Sequence, residues 1–343
     1  MDLLLILSQE HDKLPLAELR AVLEIEEIET EMEIVCPGLV ILRNLDEDVF
    51  DDYYRIFVKR LGYTHEVHQL IDECDYEDLD NAVKAIDWSE YVDENFAVRV
   101  KRFNTEIDTV ATERRVGHLI LTSTENISVN LSDPKSFIRV VAHQRHVYLC
   151  YGKYQLNKKY FEEMKPHKRP FFHPGCMSPK LARCMVNLAR VKDGDLVLDP
   201  FCGTGGILIE AGDLNTTLIA SDLEKCMYEG TKLNLAHEGF ENFKVYWEDV
   251  RKLEIDEIVD AVAMDPPYGI STTLAGEDTK KLYTEALIAI EKHLKDDGYI
   301  CMASPHYIDM NEVVENTPLK ILEQHAIRMH KSLTRVITVL AKK

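Results

Sequence analysis

The chain has 343 residues, of which 45% are apolar and 29% are charged, and its formal net charge is −20. This length is sufficient for two or three domains, and the composition is typical of a globular protein. No apolar run reaches the roughly 20 residues that a membrane helix needs, so we expect no membrane association. The eight cysteines include no CxxC pair, which argues against a zinc-ribbon or thioredoxin-like motif and favours a cytoplasmic protein with reduced thiols.

The negative charge is unevenly distributed along the chain. Residues 1–96 carry a net charge of −19, residues 97–170 one of +7, and residues 171–343 one of −8. A basic segment between acidic ends is a candidate surface for binding a polyanion such as a nucleic acid. The alternative is a segmental fluctuation of charge without a function. The polyanion hypothesis leaves the strongly acidic first segment unexplained.

The first 75 residues predict the order strand, helix, strand, strand, helix, strand. The stretch 2–8 is apolar, and Leu16, Leu19 and Val22 recur at helical spacing. Two strands then meet at Pro37-Gly38, and a second helix ends at Gly62 before an alternating strand. This order is that of a ferredoxin-like α+β unit, which we assign to residues 1–75.

The rest of the chain predicts, in order, a basic domain, a linker and an α/β domain. Residues 76–154 begin with a helix over 76–86, followed by a strand, a helix and three more strands, with a turn at Asp133-Pro134. Residues 155–177 are basic and proline-containing, which favours a linker. From residue 178 onward apolar strands alternate with helices, which predicts a mostly parallel sheet. The last two strands are separated by a short connection, which forces antiparallel pairing.

The loop "DPFCGTGG", residues 199–206, ends one predicted strand and opens a helix. Its glycines do not have GxGxxG spacing, and it contains no lysine, so a dinucleotide fingerprint and a P-loop are both excluded. Asp222, Asp249 and Asp265 end the next three strands. The Asp222 carboxylate can accept hydrogen bonds from both ribose hydroxyls of a nucleoside, and the Asp249 carboxylate can accept one from an adenine amino group. One such aspartate is often only a helix cap, but four in register indicate a ligand site.

This combination resembles the S-adenosylmethionine-dependent methyltransferases of the Rossmann-like class over residues 178–343. The resemblance implies a seven-stranded sheet with a C-terminal antiparallel hairpin, and S-adenosyl-L-methionine as cofactor. By that resemblance the methionine part lies along the glycine loop, the ribose at Asp222 and the adenine at Asp249. The implied cofactor-binding residues are His173, Pro174, Asp199, Pro200, Cys202, Gly203, Thr204, Gly205, Asp222, Leu223, Asp249, Val250 and Asp265.

The stretch "DPPY", Asp265 to Tyr268, resembles the [DNS]-P-P-[YFW] motif of amino-group methyltransferases. The exocyclic amine of a base is a poor nucleophile because its lone pair is delocalised into the ring. Acceptors on both N–H bonds, the Asp265 carboxylate and the carbonyl of Pro266, localise that lone pair. The rigid Pro266-Pro267 pair holds the carbonyl in place. Tyr268 offers a stacking face, worth about 1–3 kcal/mol, to a base extruded from its helix. The alternative is a rigid turn that only closes a strand.

The segment Arg169 to Val191, "RPFFHPGCMSPKLARCMVNLARV", is similar to the segment before the glycine loop in archaeal tRNA guanine-10 N2-methyltransferases. Those enzymes also carry a ferredoxin-like unit and a THUMP domain, which residues 76–154 resemble in element order and charge. The resemblance implies methylation of guanine N2 in tRNA, giving N2-methylguanosine and possibly N2,N2-dimethylguanosine, without a metal. Guanine 6 of tRNA or a ribosomal RNA guanine is the alternative target. A non-catalytic RNA-binding protein is the alternative from another class.

The basic middle of the chain supplies the candidate tRNA contacts, because lysine and arginine neutralise phosphates. We expect them at Lys101, Arg102, Arg114, Arg115, Arg139, Arg145, Lys158, Lys159 and Arg169. The sequence leaves open whether an accessory protein or a second copy of the chain takes part.

Overall fold

The computed structural model describes residues 1–47, 49–155, 158–269, 276–330 and 333–343, and its contacts divide the chain into two compact units. The first unit comprises Met1–Gln9, Glu29–Arg55 and Thr64–Leu156. The second comprises Glu10–Ile28, Ile56–Tyr63 and Asn157–Lys343. The described part of the chain contains no helix with the length and apolar character needed to cross a bilayer.

The helices and strands follow the predicted order closely. Those before residue 156 are β1 (Asp2–Leu7), α1 (Leu14–Ile25), β2 (Glu31–Cys36), β3 (Leu39–Arg43), α2 (Phe50–Arg60), β4 (Thr64–Asp75), α3 (Leu79–Ala85), β5 (Asn95–Phe103), α4 (Thr109–Ser123), β6 (Ser128–Val129), β7 (Ser136–His143) and β8 (His146–Gln155). Those after it are α5 (Lys158–Glu163), α6 (Pro179–Leu188), β9 (Leu196–Asp199), α7 (Gly206–Gly212), β10 (Thr217–Asp222), α8 (Lys225–His237), β11 (Phe243–Trp247), β12 (Val259–Met264), α9 (Gly276–Glu291), β13 (Leu294–Pro305), α10 (Met310–Glu315), β14 (Leu319–His330) and β15 (Leu333–Lys342).

The first unit is built on one eight-stranded sheet with the order β2-β3-β1-β4-β8-β7-β5-β6. The strands predicted as ferredoxin-like, β1 to β4, and those predicted as a THUMP domain, β5 to β8, therefore share a sheet. β4 and β8 join them in antiparallel pairing, with Asp75 opposite His146. The core of the THUMP-like part contains the buried side chains of Trp88, Phe96 and Val116.

The second unit contains the predicted seven-stranded sheet, in the order β11-β10-β9-β12-β13-β15-β14. The strands from β11 to β13 pair in parallel, and β15 pairs antiparallel with both β13 and β14. The expected α/β class with a C-terminal antiparallel hairpin is confirmed. The sequence analysis missed α10, which has only six residues and begins where the Asp309 side chain accepts from the backbone N–H of Asn311.

Helix α1 packs within the second unit although it lies near the N-terminus. Its buried residues Leu14 and Ala21 share a core with Leu181 and Met185 of α6. This helix lies inside the segment predicted as a ferredoxin-like domain, so the contact-based units cut across that segment. The domain boundaries expected after residues 75, 154 and 177 stay predictions.

A fully buried carboxylate joins α1 to its neighbours in the second unit. The Glu18 side chain accepts hydrogen bonds from the backbone N–H groups of Gly62 and Tyr63, at 3.0 and 2.8 Å. It also accepts from the Asn187 amide of α6 at 3.0 Å. These donors are buried, so Glu18 supplies acceptors that water cannot replace.

We predict that Glu18→Ala lowers the free energy of unfolding by about 3 kcal/mol or more, because each buried donor left without an acceptor costs about 1–3 kcal/mol. Urea-induced unfolding of the full chain, followed by circular dichroism, measures the difference. The control is Glu24→Ala on the same helix, whose exposed carboxylate pairs with Arg190 at 3.0 Å and whose loss costs below about 1 kcal/mol. Equal losses in the two variants would contradict a structural role for the buried carboxylate.

Candidate functional site

Parallel pairing collects the ends of four strands at one edge of the second sheet. β9 ends at Asp199 and β10 ends at Asp222, whereas Asp265 directly follows β12. Asp249 follows the end of β11 by two residues, so it is not the terminal residue that the sequence pattern suggested. The register pairs Asp199 with Ala220, and Asp222 with Trp247. Loops at this edge of a parallel sheet are where ligands bind in doubly wound folds.

The loop between β9 and α7 is shaped by two glycines with positive φ angles. Gly203 has a φ of +52°, and Gly205, which precedes α7, has a φ of +78°. A Cβ atom at Gly205 would lie 3.2 Å from Cγ2 of Thr231 on α8, whereas one at Gly203 would meet no heavy atom within 4 Å. Glycine is therefore required at 205 by both conformation and space. At Gly203 the loop faces open space.

Hydrogen bonds hold this loop against the neighbouring elements. The Asp222 carboxylate accepts from the backbone N–H of Gly203 at 2.9 Å and from that of Glu224 at 2.9 Å. The Thr231 hydroxyl donates to the carbonyl of Gly203 at 2.8 Å. Burial raises the pKa of Asp222 above its ordinary value, and the two backbone donors partly oppose that shift.

Asp199 and Asp249, at the same edge, lie in opposite electrostatic environments. Asp199 is buried and accepts from the backbone N–H of Phe201 at 3.1 Å. Burial raises the pKa of Asp199 well above its usual range, and the charges of Asp222 and Asp265 add to the shift. Asp249 instead accepts from the Arg251 guanidinium, with Nε 2.9 Å from Oδ1, and this hydrogen bond lowers its pKa. Asp249 is therefore ionised at neutral pH.

These residues line a cleft of about 670 Å³ and a smaller cavity of about 160 Å³. Both are bordered by His173, Gly203 and Asp265, so they form one continuous groove along the strand ends. Of the thirteen expected cofactor residues, the larger cleft is lined by His173, Pro200, Gly203, Asp222, Leu223, Asp249, Val250 and Asp265. The smaller cavity is lined by His173, Pro174, Asp199, Cys202, Gly203, Thr204 and Asp265. Gly205 borders neither space and acts through the conformation of the loop.

The turn after β12 carries a carboxylate that is contacted at both oxygens. The Tyr268 hydroxyl donates to Oδ1 of Asp265 at 2.5 Å, and Nη2 of Arg335 lies 3.1 Å from Oδ2. Nε of Arg335 donates to the Tyr268 hydroxyl, and the guanidinium lies over the tyrosine ring at 5.4 Å from its centroid. Burial raises the pKa of Asp265, while Arg335 and Tyr268 hold it down.

Two further tyrosines fix the backbone of this turn. The hydroxyl of Tyr283, on α9, donates to the carbonyl of Pro267 at 3.0 Å. The hydroxyl of Tyr307 donates to the carbonyl of Tyr268 at 2.5 Å. The rigidity that the two prolines predict is thus reinforced by hydrogen bonds from two other parts of the fold.

The sequence analysis missed Arg335, Tyr283, Tyr307, Thr231 and Arg251. Arg335, Tyr283, Tyr307 and Thr231 contact residues that are distant in the chain. Arg251 contacts Asp249, two residues before it, but neither belongs to a recognised motif. Arg335 lies opposite Pro305 and Ile327 in the antiparallel part of the sheet, and only this register brings it to the turn. Its one sequence signal is a single arginine in a mostly apolar strand, which charge patterning alone does not distinguish from a surface residue.

The structure separates the expected RNA contacts into exposed and buried side chains. Arg102, Arg114 and Arg145 are exposed, and Arg145 pairs with Glu77. Arg115 pairs with Asp80 at 2.5 Å, Lys101 lies 3.9 Å from Glu66, and Lys159 lies 3.4 Å from Glu163. The side chain of Lys158 lies outside the described part of the structure.

Two of the expected RNA contacts are buried, which contradicts a surface role. Arg139 is 7% exposed and forms a 2.6 Å ion pair with Glu66. Arg169 is 6% exposed and donates to the carbonyl of Met164 at 3.0 Å. Both guanidinium groups are therefore occupied inside the fold and present almost no surface to a phosphate. We therefore remove both from the candidate tRNA surface.

No group of three or more histidine, cysteine, aspartate or glutamate side chains in the described residues is arranged to hold a metal ion.

Comparisons with known proteins define the class of protein first. Residues 166–337 match the family model of the RMKL-like methyltransferase domain, and residues 73–151 match that of the THUMP domain. The crystal structure of TrmN from Thermus thermophilus superposes with a TM-score of 0.60 at 19% identity, covering all of both chains. The fold is that of a Rossmann-like methyltransferase domain together with a THUMP domain, as predicted, whereas the roles of the individual site residues stay predictions.

Full-length relatives then give the family. A tRNA (guanine(10)-N2)-dimethyltransferase from Methanothermobacter thermautotrophicus is 44% identical over 342 residues, covering 100% of both chains. One from Methanocaldococcus jannaschii is 36% identical, covering 98% of this chain and 99% of its own. The chain belongs to the family of archaeal tRNA (guanine(10)-N2)-dimethyltransferases.

The class implies S-adenosylmethionine as cofactor, and the groove fits such a molecule. It combines open space beside Gly203 with carboxylates at the ends of β9 and β10 and apolar surface at Leu223 and Val250. A nucleoside with an amino-acid tail needs these elements, namely acceptors for hydroxyl and amino groups, apolar walls and close backbone approach.

We predict that Gly205→Ala weakens the binding of S-adenosylhomocysteine by about tenfold or more, since strain of 1–2 kcal/mol at a positive φ is added to the close contact with Thr231. Isothermal titration calorimetry measures the affinity. Gly239→Ala is the matched control, because Gly239 has a φ of +84° but its Cβ would meet no atom within 4 Å, and it lies outside the groove. If both variants bound with the affinity of the unmodified chain, the loop would not be part of the cofactor site.

Proposed function

We propose that this chain transfers methyl groups from S-adenosylmethionine to the exocyclic N2 of guanine 10 in tRNA, giving N2-methylguanosine and then N2,N2-dimethylguanosine. The observation that carries the proposal is the Asp265-Pro266-Pro267-Tyr268 turn, whose carboxylate borders both parts of the groove. The choice of guanine 10 and of two methylations is supported by the names of the full-length relatives.

The groove offers a place for each part of the cofactor. Asp222 would accept hydrogen bonds from the ribose hydroxyls and Asp249 one from the adenine amino group, and Leu223 and Val250 would supply apolar walls. The residues that line the smaller cavity would hold the methionine part, namely His173, Pro174, Asp199, Cys202, Gly203 and Thr204, and Pro200 would contact the cofactor from the larger cleft. The bound cofactor supplies an electrophilic methyl group on a positively charged sulfur.

The turn prepares the target amine for methylation. The Asp265 carboxylate accepts from one N–H bond of guanine N2, and the carbonyl of Pro266 accepts from the other, which concentrates the nitrogen lone pair toward the groove. Tyr268 stacks on the guanine. As the nitrogen–methyl bond forms, the sulfur–methyl bond breaks and its electron pair stays on the sulfur, so the positive charge moves to N2, which then loses a proton toward Asp265 or water. The main contribution of the protein is positioning of the reacting atoms.

Recognition of tRNA belongs to the basic part of the first unit in this proposal. The exposed side chains of Arg102, Arg114 and Arg145, with Lys101 and Arg115, neutralise phosphates. Lys159, which belongs to the second unit, is a further candidate phosphate contact. The acidic second unit contributes less to affinity, because its residues from 171 onward carry a net charge of −8. Since the substrate is tRNA, we infer that the protein works in the cytoplasm.

The product and its position test the proposed function directly. An unmodified tRNA transcript with guanine at position 10 is incubated with the protein and S-adenosylmethionine, digested, and analysed by mass spectrometry. We expect N2-methylguanosine early and N2,N2-dimethylguanosine late, both mapping to position 10. A transcript with adenine at position 10 should remain unmethylated. Methylation of another position, or on an atom other than N2, would overturn the assignment.

We predict that Asp265→Ala lowers the turnover number for methyl transfer by about 100-fold or more, the usual contribution of a positioned proton acceptor. The affinity for S-adenosylhomocysteine should change by less than about threefold, because the other cofactor contacts remain. Asp256→Ala is the control, since Asp256 is exposed and lies outside the groove. Turnover near that of the unmodified chain in Asp265→Ala would remove this residue from the chemistry.

A further inference from the structure

Arg335 is a buried arginine at the catalytic turn that belongs to none of the recognised motifs. It lies on β15, is 6% exposed, and contacts both Asp265 and Tyr268. Its register partners, Pro305 on β13 and Ile327 on β14, place it in the antiparallel part of the sheet. A guanidinium with so little exposure requires compensation by an acceptor, and Asp265 provides it.

The three side chains form a closed ring of hydrogen bonds. Arginine has only donors, so the Tyr268 oxygen must accept from Nε of Arg335. The tyrosine hydrogen is then free to point at Oδ1 of Asp265, 2.5 Å away, while Nη2 of Arg335 holds Oδ2. Each carboxylate oxygen has two lone pairs, so one on each oxygen stays available after these bonds are made. The ring fixes the plane of the carboxylate without consuming its capacity to accept.

We propose that Arg335 is a positioning residue for methyl transfer, which keeps the Asp265 carboxylate ionised and aligned toward the amine of the target guanine. This inference rests on the proposed function, because it concerns the same amine. It adds a role for β15 that lies outside the cofactor groove and outside the Asp265–Tyr268 motif.

The electrostatic surroundings of Asp265 give this role a physical reason. Burial raises the pKa of Asp199, at the end of β9, and that of Tyr283 on α9, and the charge of Asp265 adds to both shifts. Tyr307 faces the turn through its bond to Tyr268. Burial favours the neutral acid at position 265, and Arg335 and Tyr268 oppose it. A protonated Asp265 would lose acceptor capacity and could not receive the proton of the methylated amine.

Three variants separate the charge of Arg335 from its geometry. Arg335→Gln removes the charge, Arg335→Lys keeps the charge but loses the two-pronged contact, and Arg328→Gln changes an exposed arginine on the neighbouring β14. The turnover number for methylation of the guanine-10 transcript is measured from about pH 5.5 to pH 9, with cofactor saturating. Affinity for S-adenosylhomocysteine and the thermal unfolding midpoint are measured for each variant.

In Arg335→Gln we expect the acid limb of the profile to move to higher pH by about 1–3 units, because a neighbouring arginine lowers the pKa of an aspartate by that amount. Turnover falls as pH drops through the pKa of Asp265. The ratio of the turnover number of the unmodified chain to that of Arg335→Gln should therefore be largest at low pH and decrease by about tenfold or more toward pH 9. Arg335→Lys should restore the position of the acid limb but leave a lower plateau. Arg328→Gln should behave like the unmodified chain.

A deficit in Arg335→Gln that is the same at every pH, with a lower unfolding midpoint, would show a purely structural role and overturn the proposal. So would an unchanged profile in a folded variant. If Arg335→Gln does not fold, the profile of Arg335→Lys decides, since an acid limb and plateau equal to those of the unmodified chain would also contradict the proposal. Failure of the proposed function is distinguishable, because the unmodified chain would then not methylate guanine 10 at any pH.

Discussion

Parallel pairing of β9, β10, β11 and β12 is the constraint on which the site depends. Strands that run in the same direction end at the same edge, so residues far apart in sequence are delivered to one groove. Four aspartates follow or end these strands, and water is largely excluded from Asp199. Hydrogen bonds and burial then shift the pKa values of these carboxylates in different directions. The hydrogen bond from Arg251 lowers the pKa of Asp249, whereas burial raises the pKa of Asp199.

The antiparallel part of the same sheet supplies a further contact to the turn after β12. β15 carries Arg335 to the turn after β12, where it balances the charge of Asp265 and covers the ring of Tyr268. The remaining donors to the turn come from Tyr283 and Tyr307. A short motif in the sequence is therefore held in place by residues from α9, from the segment after β13 and from β15. Within the same unit, the buried Glu18 of α1 accepts hydrogen bonds from Asn187 of α6 and from the backbone of Gly62 and Tyr63, which joins this N-terminal helix to its neighbours.

Local patterns predicted much of this arrangement, and long-range register accounts for most of what they missed. The alternation of strands and helices, the glycine loop and the Asp-Pro-Pro-Tyr turn are each encoded in a few consecutive residues, and the fold class and family followed from them. The position of Arg335 depends on the pairing of β15, and the burial of Arg139 depends on an ion pair with Glu66 across the sheet of the first unit. Charge counting cannot tell such an arginine from an exposed one. The packing of α1 was equally hidden from local patterns, because its partner α6 lies more than 150 residues away in the chain.

The chemistry proposed for the turn requires Asp265 to accept a hydrogen bond from the amine that becomes methylated. A crystal structure of the full chain with S-adenosylhomocysteine and a tRNA whose guanine 10 is unmodified would show this contact. We expect guanine N2 to lie about 3 Å from an Asp265 oxygen, with Arg335 and Tyr268 still bound to the carboxylate and the sulfur of the cofactor on the opposite side of N2. A guanine whose N2 points away from Asp265, toward another acceptor, would contradict it.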